Sequence, residues 1–336
     1  MKRNLFSLVL VAVILSIMIF ITQGFAQELP EVKWDLPHFC SPTYFMARDF
    51  EQFSKDVKAK TNGKFNIVLH SGSSLVTGPE TAPAVVSGRV PIGPILSAYV
   101  YDLFPELSVT MLPFSTSTYQ ELHSMAEQLR SYFHTVLEKK NLKPLFMYAW
   151  PTQQVFSKKP MDTISAWKGK KVRIMNSEQA DLCKRVQAVP INIAFSELYT
   201  ALQRRTVDAF TTSSTNIPVM KFYEVSKYAN LWTIGGGGLE FLCANIHAWN
   251  KLPKKYQDAL LEVIEETKIE DKLWTDGAKV DETSLDEVKN KGMVILHVSK
   301  TEIENMRKIA KAIWDKWAKD HGTEDLLEKA IKAVGH

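Results

Sequence analysis

The residues that could do covalent chemistry are present in this 336-residue chain, but their spacing does not assemble them. A serine hydrolase needs its nucleophile on a strained turn beside a histidine base. The GxSxG pattern that builds this turn is absent, and Gly72, Ser73 and Ser74 lack its flanking residues. His70, His123, His134, His247 and His297 fall at expected strand ends or on expected helices, with no HExxH or HxH spacing to grip a metal. Cys40, Cys183 and Cys243 are far apart and odd in number, so at most one intramolecular disulfide could form, and no CxxC pair offers a redox or metal site. Their apolar neighbours Phe39, Leu182 and Leu242 make them read as small buried hydrophobes. Adjacent acids such as Glu265 with Glu266 read as the solvated face of a helix. The glycines at 235–238 have strand-like flanks and no following Lys-Ser/Thr, so a hinge or strand crossing is read there rather than a phosphate cradle. No catalytic centre, cofactor or metal site is read.

One charged residue has a different kind of context. In KKVRIM, residues 170–175, an extended backbone sends Val172 and Ile174 to one face and Arg173 and Met175 to the other. An unpaired guanidinium taken out of water is costly. Arg173 must therefore reach solvent, meet a protein carboxylate such as Glu178 or Glu197, or await a charged ligand.

The elements that must position Arg173 alternate between strand and helix, the pattern of an α/β protein. Strands are expected at 31–36, 64–69, 92–96, 144–149, 154–157, 170–174, 192–194, 209–212, 228–234 and 293–297. Helices are expected at 42–61, 80–86, 119–140, 178–186, 195–203, 219–227 and 301–320. The run 253–290 is helical almost without interruption and would reach about 50 Å, enough to brace two lobes. Composition turns polar after Trp150 and Pro151, a candidate crossover. The reading is an α/β protein of two lobes with a hinge and one long helix bracing both: residues 27–149 plus 239–277 form lobe I, and 150–238 plus 278–330 form lobe II.

Bulk properties narrow the class further. Lys2 and Arg3, an apolar run over 5–21 and small residues at Gly24 and Ala26 form the layout of a secretory signal peptide cleaved near Ala26. The run is slightly short for a membrane span, and an uncleaved anchor is the alternative. The formal net charge of +4 is spread along the chain, with no basic patch interleaved with aromatics, so nucleic acid is not expected as a partner.

A resemblance then enters on specific residues. KGKKVRIMNSEQA, PINIAFSELYTALQRRTVDAF (190–210) and KFYEVSKY (221–228) stand in the order and spacing of the substrate-binding subunits of tripartite ATP-independent periplasmic (TRAP) transporters, the DctP type. The similarity extends back through KTNGKFNIVLHSGSSL (60–75) and LFPELSVTMLPF (103–114), and forward to the long helix after Pro253. It implies a monomeric periplasmic receptor, not an enzyme, that captures an organic carboxylate between two α/β lobes and delivers it to membrane permease subunits. A sensor reporting the same ligand to a membrane signalling partner is the alternative, and a periplasmic enzyme a weaker one.

The resemblance also assigns roles. Arg173 matches the family's bidentate carboxylate contact, a role suited to a planar fork of donors. Phe195 matches the aromatic beside the ligand, and Asp208 a structural strand acid. Elsewhere the chain departs from the family pattern. Thr212 stands where an asparagine is frequent, Thr211 where a glutamate is common, and Gln153 in place of a second pocket arginine. Phe39, Leu96 and Tyr99 replace polar or charged contacts of the first lobe. A pocket does not keep polar groups that its ligand leaves unpaired. These departures therefore imply a monocarboxylate with an apolar or aromatic body. Glu240 could join a metal site only with a partner that Thr211 does not supply.

Overall fold

The structure, a computed structural model, describes residues 29–235 and 237–335. The expected signal segment lies outside them. Three groups of strands organise the chain. β1 (Val32–Pro37) and β2 (Phe65–His70) pair in parallel and lie beside β3 (Ile92–Leu96). β3, β10 (Leu239–Asn245) and β4 (Leu142–Ala149) form an antiparallel sheet with β10 central. The second lobe is a six-stranded mixed sheet in the order β11-β9-β5-β8-β6-β7. Its strands are β5 (Gln153–Ser157), β6 (Lys171–Ile174), β7 (Val189–Asn192), β8 (Ala209–Ser213), β9 (Tyr228–Gly235) and β11 (Val294–His297).

Local sequence accounts for the elements that cover these sheets. The helix Phe45–Lys60 buries Phe45, Met46, Phe50, Phe53 and Val57, a helical stripe that packs beneath β2. The helix Tyr119–Glu138 starts where the Thr118 side chain accepts the Glu121 backbone N–H at 3.0 Å. In the second lobe Asn176 caps the helix Ser177–Arg185 in the same way, accepting from the Gln179 N–H at 2.9 Å.

The chain crosses between lobes where the sequence turns polar and where it turns to glycine. β4 leads through Trp150–Thr152 into β5, and β9 leads through the glycines into β10. The two crossings touch: Gln153 pairs with Gly235, and the Trp150 N–H donates to the Gly238 carbonyl at 3.0 Å. A Cβ on Gly237 would lie 2.4 Å from Trp150 Cβ, and one on Gly238 2.6 Å from Met111 Sδ. Here glycine is required for close approach of two strands.

The helix Ile269–Asn290 forms a third tie. Its 22 residues span about 33 Å. It packs on Phe45–Lys60, Tyr119–Glu138 and β4 in the first lobe, and on Asn216–Val219 and β11 in the second. At the crossing, Asp281 accepts from the Thr152 N–H at 2.9 Å and the Thr152 hydroxyl at 2.5 Å. Burial raises the Asp281 pKa, and the two Thr152 bonds offset part of that rise. One apolar cluster runs through this region, from Leu122 and Phe133 of the first lobe to Val172, Leu182 and Trp314 of the second.

Several expectations shift. The helical run after Pro253 is not continuous: Lys268 turns left-handed at φ 50°, ending Lys254–Thr267 and starting Ile269–Asn290. No glycine or proline marks the break, because the redirection of the following helix across both lobes fixes it rather than a local signal. The strand expected at 192–194 lies at Val189–Asn192, paired in parallel with β6. The helices expected at 195–203 and 219–227 are shorter, each with a tight 3₁₀ turn at one end or inside. The final helix Glu324–Ala333, absent from the sequence reading, packs on Tyr119–Glu138. All three cysteines are buried and free.

Gly277 faces the crossing on the tie helix. A Cβ there would sit 2.2 Å from Tyr119 Oη, the hydroxyl that donates to the Ala149 carbonyl at 2.9 Å. Gly277→Ala therefore loses about 1–3 kcal/mol to overpacking, against the roughly 1 kcal/mol that alanine gains in a helix interior. Urea unfolding checks this: the midpoint falls, and a midpoint at or above the parent's contradicts the packing account.

Candidate functional site

Arg173 is the third residue of β6, inside the second sheet between β7 and β8, where it pairs with Ile191 and Phe210. It is 5% exposed. Its Nε donates to the Ile193 carbonyl at 3.1 Å and its Nη1 to the Thr211 carbonyl at 3.3 Å. Among the described residues no carboxylate forms an ion pair with it. Neither Glu178 nor Glu197, the two acids expected as partners, pairs with it; Glu178 Oε1 accepts from the Ser177 hydroxyl at 3.0 Å. Burial pulls the guanidinium pKa down to about 10, so Arg173 stays charged at neutral pH. The face of Phe195 lies 5.9 Å from Cζ, close enough for a cation–π contribution. The result is a charged fork held by two neutral carbonyls, with donors left over.

The neighbouring strand β8 brings hydroxyls to the same region. Thr211 donates to Gln179 Oε1 at 3.2 Å, and Thr212 Oγ1 accepts from Asn216 Nδ2 at 2.9 Å. Both threonines are buried. Gln153, at the crossover, turns its amide onto the Pro151 carbonyl at 3.1 Å. Asp208 accepts from the Lys171 backbone N–H at 2.9 Å, a structural contact at the start of β6.

The first lobe contributes an aromatic wall. Phe39 stacks on Trp150 with centroids 5.2 Å apart and meets Tyr99 edge-on at 5.6 Å. Tyr44 stacks on the other side of the group against Trp150 at 5.5 Å. Leu96 is buried behind Tyr99, on the strand that leads into it. Burial pushes the Tyr99 phenol up to about 12, and the charge of Arg173 acts in the opposite direction, so Tyr99 lies within the field of that cation. The structure thus joins Arg173 with Phe195, and Phe39 with Tyr99. Gln153 and Thr212 lie at the crossover and on β8, on side chains already engaged with the protein. Sequence reasoning missed Tyr44 and Gln179. It treated Trp150 only as a crossover marker, and its place next to Pro151 was the available signal.

Glu240 sits behind the wall on β10, in register with Leu96 on one side and Tyr148 on the other. It is fully buried, and Trp150 Nε1 donates to its Oε2 at 2.7 Å. The Tyr148 phenol offsets part of the cost of ionisation, yet Oε1 and Tyr148 Oη each fall short of hydrogen-bond geometry with any group. Among the described residues no three His, Cys, Asp or Glu side chains gather around it or elsewhere. Burial raises the carboxyl pKa from 4.5 to about 7. The native state therefore holds this proton more tightly than the unfolded chain, so the stabilisation is present below pH 4.5 and is lost as pH rises through about 7. Relative to Glu240→Gln, the parent protein should lose on the order of 3 kcal/mol across that window. Parallel urea titrations at the two ends measure it, and a stability difference independent of pH would contradict the assignment.

Comparison with known proteins agrees with this architecture. The family model for DctP, described as bacterial extracellular solute-binding protein family 7, matches residues 36–320. A solute-binding protein of Albidiferax ferrireducens is 27% identical over 297 residues, covering 86% of this chain and 87% of its own. The crystal structure of DctP6, a Bordetella pertussis extracytoplasmic solute receptor binding pyroglutamic acid, superposes with a TM-score of 0.83 at 24% identity, covering 90% of this chain and 99% of that one. A TRAP periplasmic solute-binding protein of Desulfovibrio salexigens with bound orotic acid superposes at 0.81 and 21% identity, covering 90% and 98%. With two α/β lobes, a glycine crossing and a family match over nearly its whole described length, this chain belongs to the DctP family of TRAP-type periplasmic solute-binding proteins.

Proposed function

We propose that this protein captures a monocarboxylate with an apolar or aromatic body between its lobes and hands it to the permease subunits of a TRAP transporter, acting as a monomer without catalysis. The observation that carries the reading is Arg173: a buried, charged fork with no counter-charge among the described residues. A ligand carboxylate would supply that charge in two parallel bonds. Phe195, Phe39, Tyr99 and Leu96 would cover the body of the ligand, with Gln153 and Thr212 at its polar margin. The single anchor argues against a second carboxylate on the ligand, since among the described residues Arg173 is the only buried arginine or lysine. Pyroglutamic acid and orotic acid, the ligands of the two structural relatives, each carry one carboxyl group on a small ring, which is consistent with a single anchor.

The same reading takes 27–149 with 239–277, and 150–238 with 278–330, as the units that move about the crossing. The capture geometry alone would equally serve a receptor that reports to a membrane sensor.

A thermal-shift panel of mono-, di- and keto-carboxylates tests the ligand class. Monocarboxylates on flat rings should give the largest shifts, and a dicarboxylate as the tightest ligand would overturn the reading of Gln153, Thr212 and Leu96. Arg173→Ala should abolish the shift, a loss of about 3–5 kcal/mol of binding free energy. The ligand-free protein tests the same idea from the other side. Replacing an uncompensated buried charge by an apolar side chain of similar volume is often neutral or stabilising, so Arg173→Met should unfold at no lower temperature than the parent while failing to bind. A large loss of stability in that variant would mean that Arg173 is a structural residue.

A further inference from the structure

Tyr44 belongs to the first lobe, at the start of the helix Phe45–Lys60, yet its hydroxyl ends in the second. Tyr44 Oη and Thr215 Oγ1 are 2.7 Å apart, a hydrogen bond between residues 171 positions apart. Thr215 lies two residues past the end of β8, and its hydroxyl is shared with Ser213 Oγ at 2.7 Å. Asn216 Nδ2 donates to both Ser213 Oγ at 3.1 Å and Thr212 Oγ1 at 2.9 Å. One residue further back, the Thr211 carbonyl accepts from Arg173. The partner of Tyr44 is therefore held by the same strand end that holds the charged fork.

The packing of Tyr44 does not require its hydroxyl. Its ring stacks on Trp150 at 5.5 Å and on Phe45 at 5.1 Å, contacts that phenylalanine would make equally well. The phenol is buried, and burial raises its pKa far enough to keep it protonated, so it must find a partner or forfeit its water. That partner lies only across the cleft. Were the lobes to separate about the crossing, both hydroxyls would return to water at little cost. The bond is thus made in one arrangement of the lobes and absent in another, which is what allows it to bias closure.

We propose that Tyr44 is a positioning residue for capture: its hydroxyl latches the first lobe onto the hydroxyl network of residues 212–216 and so favours the closed arrangement in which the aromatic wall faces Arg173. This rests on the two-lobed receptor reading above. A single net hydrogen bond of about 1 kcal/mol corresponds to roughly a fivefold change in the ratio of closed to open protein.

The test needs no ligand, so its failure is separable from failure of the carboxylate reading. Spin labels at Lys58→Cys and Lys184→Cys, both exposed positions on helices of opposite lobes, report the separation by pulsed electron resonance while the native cysteines stay buried. In Tyr44→Phe and in Thr215→Val the ratio of closed to open protein should fall about fivefold relative to the parent, and in the double variant it should fall no further than in either single one. An unchanged distance distribution in the single variants overturns the latch, even if their unfolding temperature drops, because a packing role alone would lower stability without opening the lobes. Additive effects in the double variant also overturn it, since the two hydroxyls would then act separately.

Discussion

The structure depends most on one unpaired charge. Arg173 enters β6 among Val172, Ile174 and the side chains of β7 and β8, where desolvation works against a cation. Two backbone carbonyls and an aromatic face soften that cost but do not neutralise it. A protein that kept such a group for stability alone would place a carboxylate beside it, and among the described residues none forms an ion pair with Arg173. The charge is tolerable because those carbonyls and the Phe195 ring take up part of its desolvation.

The crossover makes that opposition possible. Gly237 and Gly238 let β9–β10 pass within contact of Trp150 and Met111, and Thr152 is tied to Asp281 on the third crossing. Trp150, which follows the last residue of β4, then links two roles in one side chain: it donates to the buried Glu240 and stacks on both Phe39 and Tyr44. The cleft wall, the hinge and the buried acid are therefore one packed unit. The helix Lys300–His321 ties back onto the 105–113 segment, with Trp314 Nε1 donating to the Pro113 carbonyl at 2.8 Å and Trp317 Nε1 to Ser108 Oγ at 2.8 Å.

Much of this was legible in the sequence because the signals were local. Alternation in KKVRIM exposed Arg173, and the glycine run with strand-like flanks marked the crossing. The lost signals were those that depend on distant partners. Lys268 breaks a helix with no breaker residue, since the direction of the next helix is set by packing on both lobes. Tyr44 reads as an ordinary residue before a helix, and only the fold carries its hydroxyl to Thr215. Glu240 stood out in the sequence only as an unsupported metal ligand, and only register shows that it is a fully buried acid beside Leu96 and Tyr148. The site residues assigned through family resemblance divide in the same way: Arg173 and Phe195 are joined by a contact readable from β6 and its neighbours, while Gln153 and Thr212 are already engaged within the protein in ways that spacing does not reveal.

The most direct measurement of the central claim is a crystal structure of the protein with its bound ligand. The account predicts one carboxylate lying against Arg173, with both oxygens about 2.7–2.9 Å from guanidinium nitrogens, and the rest of the molecule between Phe195 and the Phe39–Tyr99 wall. A ligand bound elsewhere in the cleft, with Arg173 still bonded only to the Ile193 and Thr211 carbonyls, would contradict it.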